Sequence, residues 1–510
     1  MTAPEISRVV IVGGDLTGWT AAAALAHGLA GTGTALTVLE LQDLPNVEPA
    51  QYTTPGAFEF LAGLGIATGE IFRRTGATFR FGTGLHSVTG DGEHRIGAFG
   101  RAGASLGVVD FHQYVLSHFG ERALEVINEL TPAAVAARMQ RFSLPEAHGA
   151  KRPPLAFGLC LNSEKLRELL RDYALLNGVR AVGGLLRKVD IDPASGTVSG
   201  LRLDDGDQLG ADLFLDCSGE RALLLAGALH VGRADWSRWL PASRAVAVTT
   251  KFSHEATPVH HLAAGEHGWQ TRSLLQYRDA HQYLYSHLDV EDEDAIADLA
   301  ARLGVEDPEA IATYHLDSGY REAAWSGNCV AVGASAGTVE PLEESAFSGV
   351  CRQLRRLLRH WPVRRLQPAS ARRYSAECVA EFRALRDFTI LRYLAVSRWR
   401  RTPFWQRVGT IEPPESLAAK LELFRSRGRL RLDEYDPFGR DTWVAALVAA
   451  GVRPAGFDPL LARMENADLE AHFGRMRKSI IEAIEAMPPQ RDYARSLGSD
   501  TPASPNSPST

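Results

Sequence analysis

A chain of 510 residues with 45% hydrophobic and 8% aromatic content can bury one large core or two to three smaller ones. Its net charge of −6, from 61 acids against 55 bases, argues against a general attraction to nucleic acid. Five scattered cysteines, Cys160, Cys217, Cys329, Cys351 and Cys378, show neither a C-x-x-C pair nor metal-ligand spacing, which speaks against a disulfide framework or a metal site and for a reducing, cytoplasmic compartment.

The chain opens on its most informative stretch, RVVIVGGDLTGWTAAAAL over 8–25. The apolar run Val9 to Val12 predicts a buried parallel strand, and the Ala-rich segment after Gly18 predicts the helix that crosses back over it. In a dinucleotide fold the first glycine of the turn between them permits the tight turn. The second lets the backbone approach the pyrophosphate, and the third allows close packing of helix on strand. Those places hold Gly13, Asp15 and Gly18, with Gly14 beside the first. A carboxylate at 15 faces the place of two phosphate charges, and one like-charge pair at 4 Å costs about 4 kcal/mol at an effective dielectric near 20 unless the side chain turns to water. Glu40 closes the second strand, LTVLE, where an acid should hold the adenosine ribose. The expectation is a βαβ unit whose cofactor residues are Gly13, Gly14, Asp15, Gly18 and Glu40.

Further along, Pro45 and Pro49 place a surface loop after the second strand, and Ala57 to Leu64 resumes a helix. TGATFRFGTGLHSV (75–88) alternates as a strand pair, and the Gly-rich residues 91–107 read as loop. Helical periodicity runs through 110–145, with Phe111, Tyr114 and Phe119 expected in the core. LCLNSEKLRELLRDYALLNGV (159–179) is an amphipathic helix capped by Asn162 or Ser163 and stopped by Gly178. Turn signals at 192–196 and 204–207 mark two hairpin strands that lead into ADLFLDCSGERALLL (211–225), a buried strand ending at Asp216 where a dinucleotide sheet meets the flavin side of a cofactor. The arginine cluster 352–366 reads as a solvated helix face. The Ser/Pro/Thr-rich tail, 494–510, should be disordered. No window approaches eighteen uninterrupted apolar residues, which predicts no membrane span, and a strand within eight residues of the amino terminus predicts no signal peptide.

From DLFLDCSGERALLL and DWSRWLPASRAVAV (235–248) onward the chain resembles the flavin-dependent tryptophan halogenases. The likeness continues through WSGNCVAVGASAGTVEPLEESAFSGV (325–350), DFTILRYLAVSRWRRTPFW (387–405), SLAAKLELFRSRGRL (416–430) and TWVAALVAAGVRPAGFDPL (442–460), in the family's order and over nearly the whole chain. The resemblance implies an α/β fold: an FAD-binding, Rossmann-like domain of the GR2 flavoprotein type under a mostly helical substrate cap. The expected division is 1–109 with 151–350 for the FAD domain and 110–150 with 351–493 for the cap. It also implies that reduced FAD and oxygen oxidise halide to hypohalous acid, which a lysine and a glutamate at the end of an internal tunnel aim at a small aromatic substrate, usually an indole. A separate flavin reductase is the implied partner, and a homodimer the implied assembly.

By the same resemblance the tunnel glutamate maps onto Glu343 in PLEESA, the lysine onto Arg80 in ATFRFG, and Asp216 and Gly337 join the cofactor set. An arginine stays protonated near neutral pH, so Arg80 cannot act through a neutral amine, although it can donate hydrogen bonds. The flavin-shielding G-V-G-E-A-T loop corresponds to EPAQYTT (48–54), without its glycines and glutamate. Of the W-x-W-x-I-P signature only Trp269 stands, with Thr271, Ser273 and Leu274 in the other places, and Glu344 and Ser345 follow the tunnel glutamate. Glu344 would repel halide if it faced inward, and Glu343 has a second reading as a cap for the helix beginning near 345. Two function classes follow: an FAD-dependent oxidoreductase of this family, with halogenation in doubt, and a non-catalytic binding protein that has lost tight FAD binding.

Overall fold

The computed structural model describes residues 6–41, 48–86, 94–105, 109–145, 155–252, 256–306, 311–362, 367–463 and 466–499. The first strand, Arg8–Val12, lies at the centre of a six-stranded sheet, parallel to Ala35–Leu41 on one side and Leu213–Asp216 on the other. Arg180–Gly184 and Cys329–Ala331 extend the parallel array, and Trp325–Ser326 closes one edge antiparallel. This strand order, wound outward from the first strand, is that of a Rossmann-like α/β fold. Sheet residues Val9 to Val12, Val38, Leu39 and Leu213 to Leu215 are buried, as strands covered on both faces must be. The helix Leu16–Gly28 covers one face and packs on Ser163–Leu176 and Ala346–Arg359.

A second, seven-stranded sheet runs in the order Ala312–His315, Arg244–Lys251, Arg278–Tyr285, Gly268–Leu274, His260–Ala264, Gly82–His86 and His94–Ala98. The last of these falls in the stretch expected to be loop. His94–Ala98 pairs antiparallel with Gly82–His86, and glycine permits the close strand approach: a Cβ on Gly82 would stand 2.4 Å from the Gly97 carbonyl oxygen. Thr78–Arg80, read as part of one strand pair, belongs to a different, three-stranded sheet with Gly158–Asn162 and Ala50–Tyr52. Residues 87 and 88 lie outside the described residues.

The helices Phe111–Phe119, Ala123–Leu130 and Pro132–Met139 occupy the region expected to be helical, and Phe111 and Tyr114 are buried. Asn162 caps the helix Ser163–Leu176, its side-chain oxygen accepting from the Lys165 N–H at 2.9 Å. The predicted disordered tail begins too early. Gln490–Gly498 is a helix packed on Thr68–Thr75 with Ala494 fully buried, whereas 500–510 lie outside the described residues.

Two large apolar cores result. The first surrounds the parallel sheet and takes in Leu354, Leu357, Ile484 and Ala494. The second joins the helices after 110 to one face of the seven-stranded sheet and to Phe404, Trp405 and Trp443. The 30-residue helix Pro368–Ser397, about 45 Å long at 1.5 Å per residue, runs through both. Its Tyr374, Cys378 and Phe382 enter the first core, and its Phe388, Leu391 and Tyr393 the second. All five cysteines are buried and free. Among the described residues no helix is long and apolar enough to cross a membrane. Phe388 is fully buried with ring contacts of 4.2 Å to Phe438 and 4.8 Å to Trp443. Phe388→Ala should therefore destabilise the protein by about 3–5 kcal/mol. Urea unfolding followed by tryptophan fluorescence measures it, and a loss below about 1 kcal/mol would contradict the packing described.

Candidate active site

The turn after the first strand is built by close backbone approach. Gly13 has φ +129°, and a Cβ there would meet the Cys217 carbonyl oxygen at 2.3 Å. A Cβ on Gly18 would stand 1.7 Å from the Gly13 carbonyl oxygen, so helix and strand touch through glycine alone. Gly14 faces Glu40, whose Cγ a Cβ would meet at 2.8 Å. Glu40 itself pairs with Arg171 at 3.0 Å.

Asp15 is half-buried at the edge of the cavity. It is the N-cap of the helix Leu16–Gly28, and its Oδ1 accepts from the Gly18 N–H at 3.0 Å. The carboxylate thus occupies the donor that a helix amino terminus offers to an anion. Burial pushes its pKa up to about 6, against the lowering effect of the Gly18 and Thr17 N–H groups.

A single cavity of about 920 Å³ begins on Asp15, Leu16, Thr17 and Thr20 and passes Gly333, Ala334, Gly337 and Thr338. It reaches Glu340, Glu343 and Glu344, with Leu385 and Thr389 of the long helix opposite. The structure therefore brings Asp15, Gly337 and Glu343 onto one lining. Gly13, Gly14, Gly18 and Glu40 form the turn behind it. Asp216 is fully buried and committed to the backbone: its Oδ1 accepts from the Ser218 N–H, and its Oδ2 from those of Leu224 and Leu225 at 2.9 Å each. It holds the loop that carries Ser218 and Gly219 to the cavity.

Glu343 lines the cavity as half of a buried ion pair. Arg392 Nε donates to its Oε1 at 2.5 Å, and Thr83 Oγ1 donates to its Oε2 at 2.8 Å. It is not a helix cap; Ser345 precedes the helix Ala346–Arg359. Arg80 sits behind Glu343, fully buried, and touches its backbone rather than its carboxylate. Nη2 donates to the Glu343 carbonyl at 2.6 Å and to Thr83 Oγ1 at 2.8 Å; Nη1 and Nε reach the carbonyls of Thr53 at 2.9 Å and Gly82 at 3.1 Å. The hydrogen bonds that Arg80 can donate thus go to the protein's own backbone and to Thr83. Burial lowers its pKa, but a guanidinium remains charged.

The 48–54 segment is the clamp on this turn. Tyr52 N donates to Ser345 Oγ at 3.0 Å, Ser345 N donates to the Tyr52 carbonyl at 3.0 Å, and the Tyr52 ring stacks on His260 at 3.8 Å. Glu344 faces the cavity, but Arg352 Nη1 and Thr54 Oγ1 each donate to its carboxylate at 2.9 Å. Arg352 also binds Glu381, and Arg356 binds both Glu381 and Glu377. The repulsion expected of Glu344 is thereby largely cancelled by its partner. Trp269 is buried in the second core against Trp405 and Tyr393.

Sequence reasoning missed Arg392, Thr83, Arg352 and Glu340. Arg392 carried a signal: it is one charged residue in ILRYLAV, a stretch otherwise apolar enough for a core helix. Glu340 lines the cavity and accepts from Tyr393 Oη at 2.6 Å and from the Ala242 N–H at 2.8 Å, and burial raises its pKa to about 8, toward the neutral form.

A glycine-built strand, turn and helix, an acid on the second strand and a cavity running from that turn define an FAD-dependent flavoprotein scaffold. The family model for tryptophan halogenase matches residues 8–466. The chain is 26% identical to tryptophan 7-halogenase RebH of Lentzea aerocolonigenes, covering 96% of this chain and 98% of the relative. It superposes on a flavin-dependent halogenase from Xanthomonas campestris, Xcc4156, with a TM-score of 0.89 at 29% identity over 96% of this chain and 98% of the other. BrvH, a flavin-dependent halogenase from Brevundimonas sp. BAL3, gives a TM-score of 0.87 at 29% identity over 97% and 99%. The chain belongs to the tryptophan halogenase family, and its cofactor is FAD.

The cavity beside the glycine turn fits FAD along its lining from Asp15 to Gly337, with Asp15 as the point of tension. A diphosphate beside Asp15 favours the neutral carboxyl, so binding should take up a proton at this residue. FAD affinity is expected to rise as pH falls from 8 toward 5.5, and Asp15→Asn should bind more tightly at pH 8 and flatten the profile. Because Glu48 and Glu220, each raised by burial to about 7, also line the cavity, the difference between wild type and Asp15→Asn is the quantity to read by calorimetric titration. Identical profiles would contradict the role given to Asp15.

Arg80→Lys keeps the charge but loses the fork. It should destabilise the fold by about 1–3 kcal/mol for each buried acceptor left without a donor. A denaturation midpoint equal to wild type would show that a point charge suffices.

Proposed function

We propose that the protein is an FAD-dependent oxidoreductase that acts on an indole or other small aromatic substrate at the Glu343 end of the cavity, with a separate flavin reductase as redox partner. The observation that carries this reading is the continuity of one cavity from the Asp15 turn to Glu343. When bound, reduced FAD supplies the oxidising chemistry with oxygen. The chain's own part is to cradle the cofactor with Gly13, Gly14, Gly18 and Glu40, to pass it along Gly337, and to hold a fixed carboxylate at Glu343. Thr83 and Arg392 fix that carboxylate's orientation and keep it from drifting, which is what geometric control of a reaction at the cavity end needs.

Arg80 acts in this reading as a positioning residue for the Glu343 backbone, not as an amine in contact with an oxidant. Efficient chlorination of free tryptophan is therefore not expected. A non-catalytic binding protein is the less favoured reading, because the glycine turn, the ribose acid and the open cavity are all retained. The five buried thiols support a cytoplasmic setting, and a homodimer is the assembly we take with it.

The test is reconstitution with FAD, a flavin reductase, NADH, oxygen, bromide or chloride and a panel of indoles and phenols, read by mass spectrometry. Oxygenated or halogenated product from a panel member, dependent on Glu343, is the expected outcome, with Glu343→Gln reducing turnover about a hundredfold or more. Rapid chlorination of free tryptophan would contradict the role given to Arg80, and NADH-dependent flavin reduction with no aromatic product would contradict the enzyme reading.

A further inference from the structure

The acids that line the cavity near Glu343 differ in how fully the protein uses them. Four have both carboxylate oxygens taken. Glu343 accepts from Arg392 and Thr83, Glu344 from Arg352 and Thr54, Glu381 from Arg352 and Arg356, and Glu340 from Tyr393 and the Ala242 N–H. Glu48 is the exception. Its Oε2 accepts from Gln51 Nε2 at 2.8 Å, and its Oε1 has no hydrogen-bond partner among the described residues.

Gln51 fixes that arrangement. Its Oε1 accepts from the Phe347 N–H at 3.2 Å, so its amide nitrogen faces Glu48 and, at 3.1 Å, Ser163 Oγ. Phe347 lies in the first turn of the helix that follows Glu343, and Tyr52 is bonded to Ser345 at its start, so Glu48 stands beside the Glu343 turn. The Glu48 side chain is half-buried and lines the cavity of about 920 Å³, which gives its spare oxygen open space rather than core. Burial raises its pKa to about 7, opposed by the Gln51 amide and by no cation among the described residues. An acceptor left over in an enclosed site is completed by a donor on the ligand.

We propose that Glu48 is a specificity-determining residue whose free oxygen accepts the N–H of a heterocyclic ring lying in the cavity beside the Glu343 turn. Two ligands carry that chemistry: the flavin, through its imide N–H, and an indole-type substrate, through its ring N–H. This rests on the FAD and aromatic-substrate reading above and deepens it. A hydrogen bond to an ionised acceptor favours an N–H ring over its N-methyl analogue about tenfold or more.

Calorimetric titration of the full chain at pH 8, above the Glu48 pKa, tests it without turnover. One arm compares FAD with its N3-methyl analogue, and the other compares indole with 1-methylindole on the FAD-saturated chain. In at least one arm the N–H ligand should bind about tenfold or more tightly than its methylated partner, and the arm that shows it identifies the source. Glu48→Gln should abolish that preference, because Gln51 Nε2 claims the amide oxygen and leaves the amide nitrogen, a donor, toward the ring. Glu48→Ala should abolish it as well, with both variants checked for folding by near-UV circular dichroism. A preference that survives in both variants is steric and overturns the proposal. So do substitutions that weaken N–H and methylated ligands alike and leave the preference intact, the mark of a structural role. Equal binding within each pair by the wild type overturns it and leaves the cofactor and aromatic sites standing; absence of any binding overturns it together with the reading it rests on.

Discussion

Everything in this molecule is hung from the contact of Gly18 with the Gly13 carbonyl. A Cβ at 18 would stand 1.7 Å from that oxygen, and one at 13 would stand 2.3 Å from the Cys217 carbonyl, so three segments meet at van der Waals distance through backbone alone. That contact sets the helix Leu16–Gly28 on its strand and aims its amino terminus at the cavity. The helices Ser163–Leu176 and Ala346–Arg359 then pack on it, and the second of these carries Ser345 and the Glu343 turn at its start. The glycine turn and the Glu343 turn are thus tied to one joint.

The two ends manage charge in opposite ways. At the turn, Asp15 puts a carboxylate where the fold would otherwise offer a free N–H to an anion, and burial leaves it readily protonated. At the far end, two arginines surround one glutamate. Between them lie Glu48, Glu220 and Glu340, each with its pKa raised by burial. Burial thus shifts these acids toward their neutral forms, Glu340 most of all, and Glu344 is matched by Arg352.

What the sequence made legible was what local sterics dictate. The glycine spacing, the apolar strand and the acid at 40 specify the βαβ unit because each acts on its near neighbours, and the segments from 325 to 460 carry the family by their order. The role of Arg80 was not legible: its acceptors come from positions 53, 82 and 343, which meet only in the folded chain. The same holds for Glu343, whose partner Arg392 lies 49 residues away on a helix that also serves as core. Gly-rich 91–107 suggested a loop because glycine is rare in strands, yet here it lets two strands approach closely. The carboxy-terminal helix was hidden by a Ser/Pro-rich composition that begins only after it.

The central claim is that one cavity joins the glycine turn to Glu343 and that FAD occupies it from the turn. Hydrogen–deuterium exchange of the full chain with and without saturating FAD tests this most directly. Protection of peptides covering 13–20 together with those covering 333–346, in the same titration, is the expected result. Protection of neither, or of surface segments remote from both, would contradict it.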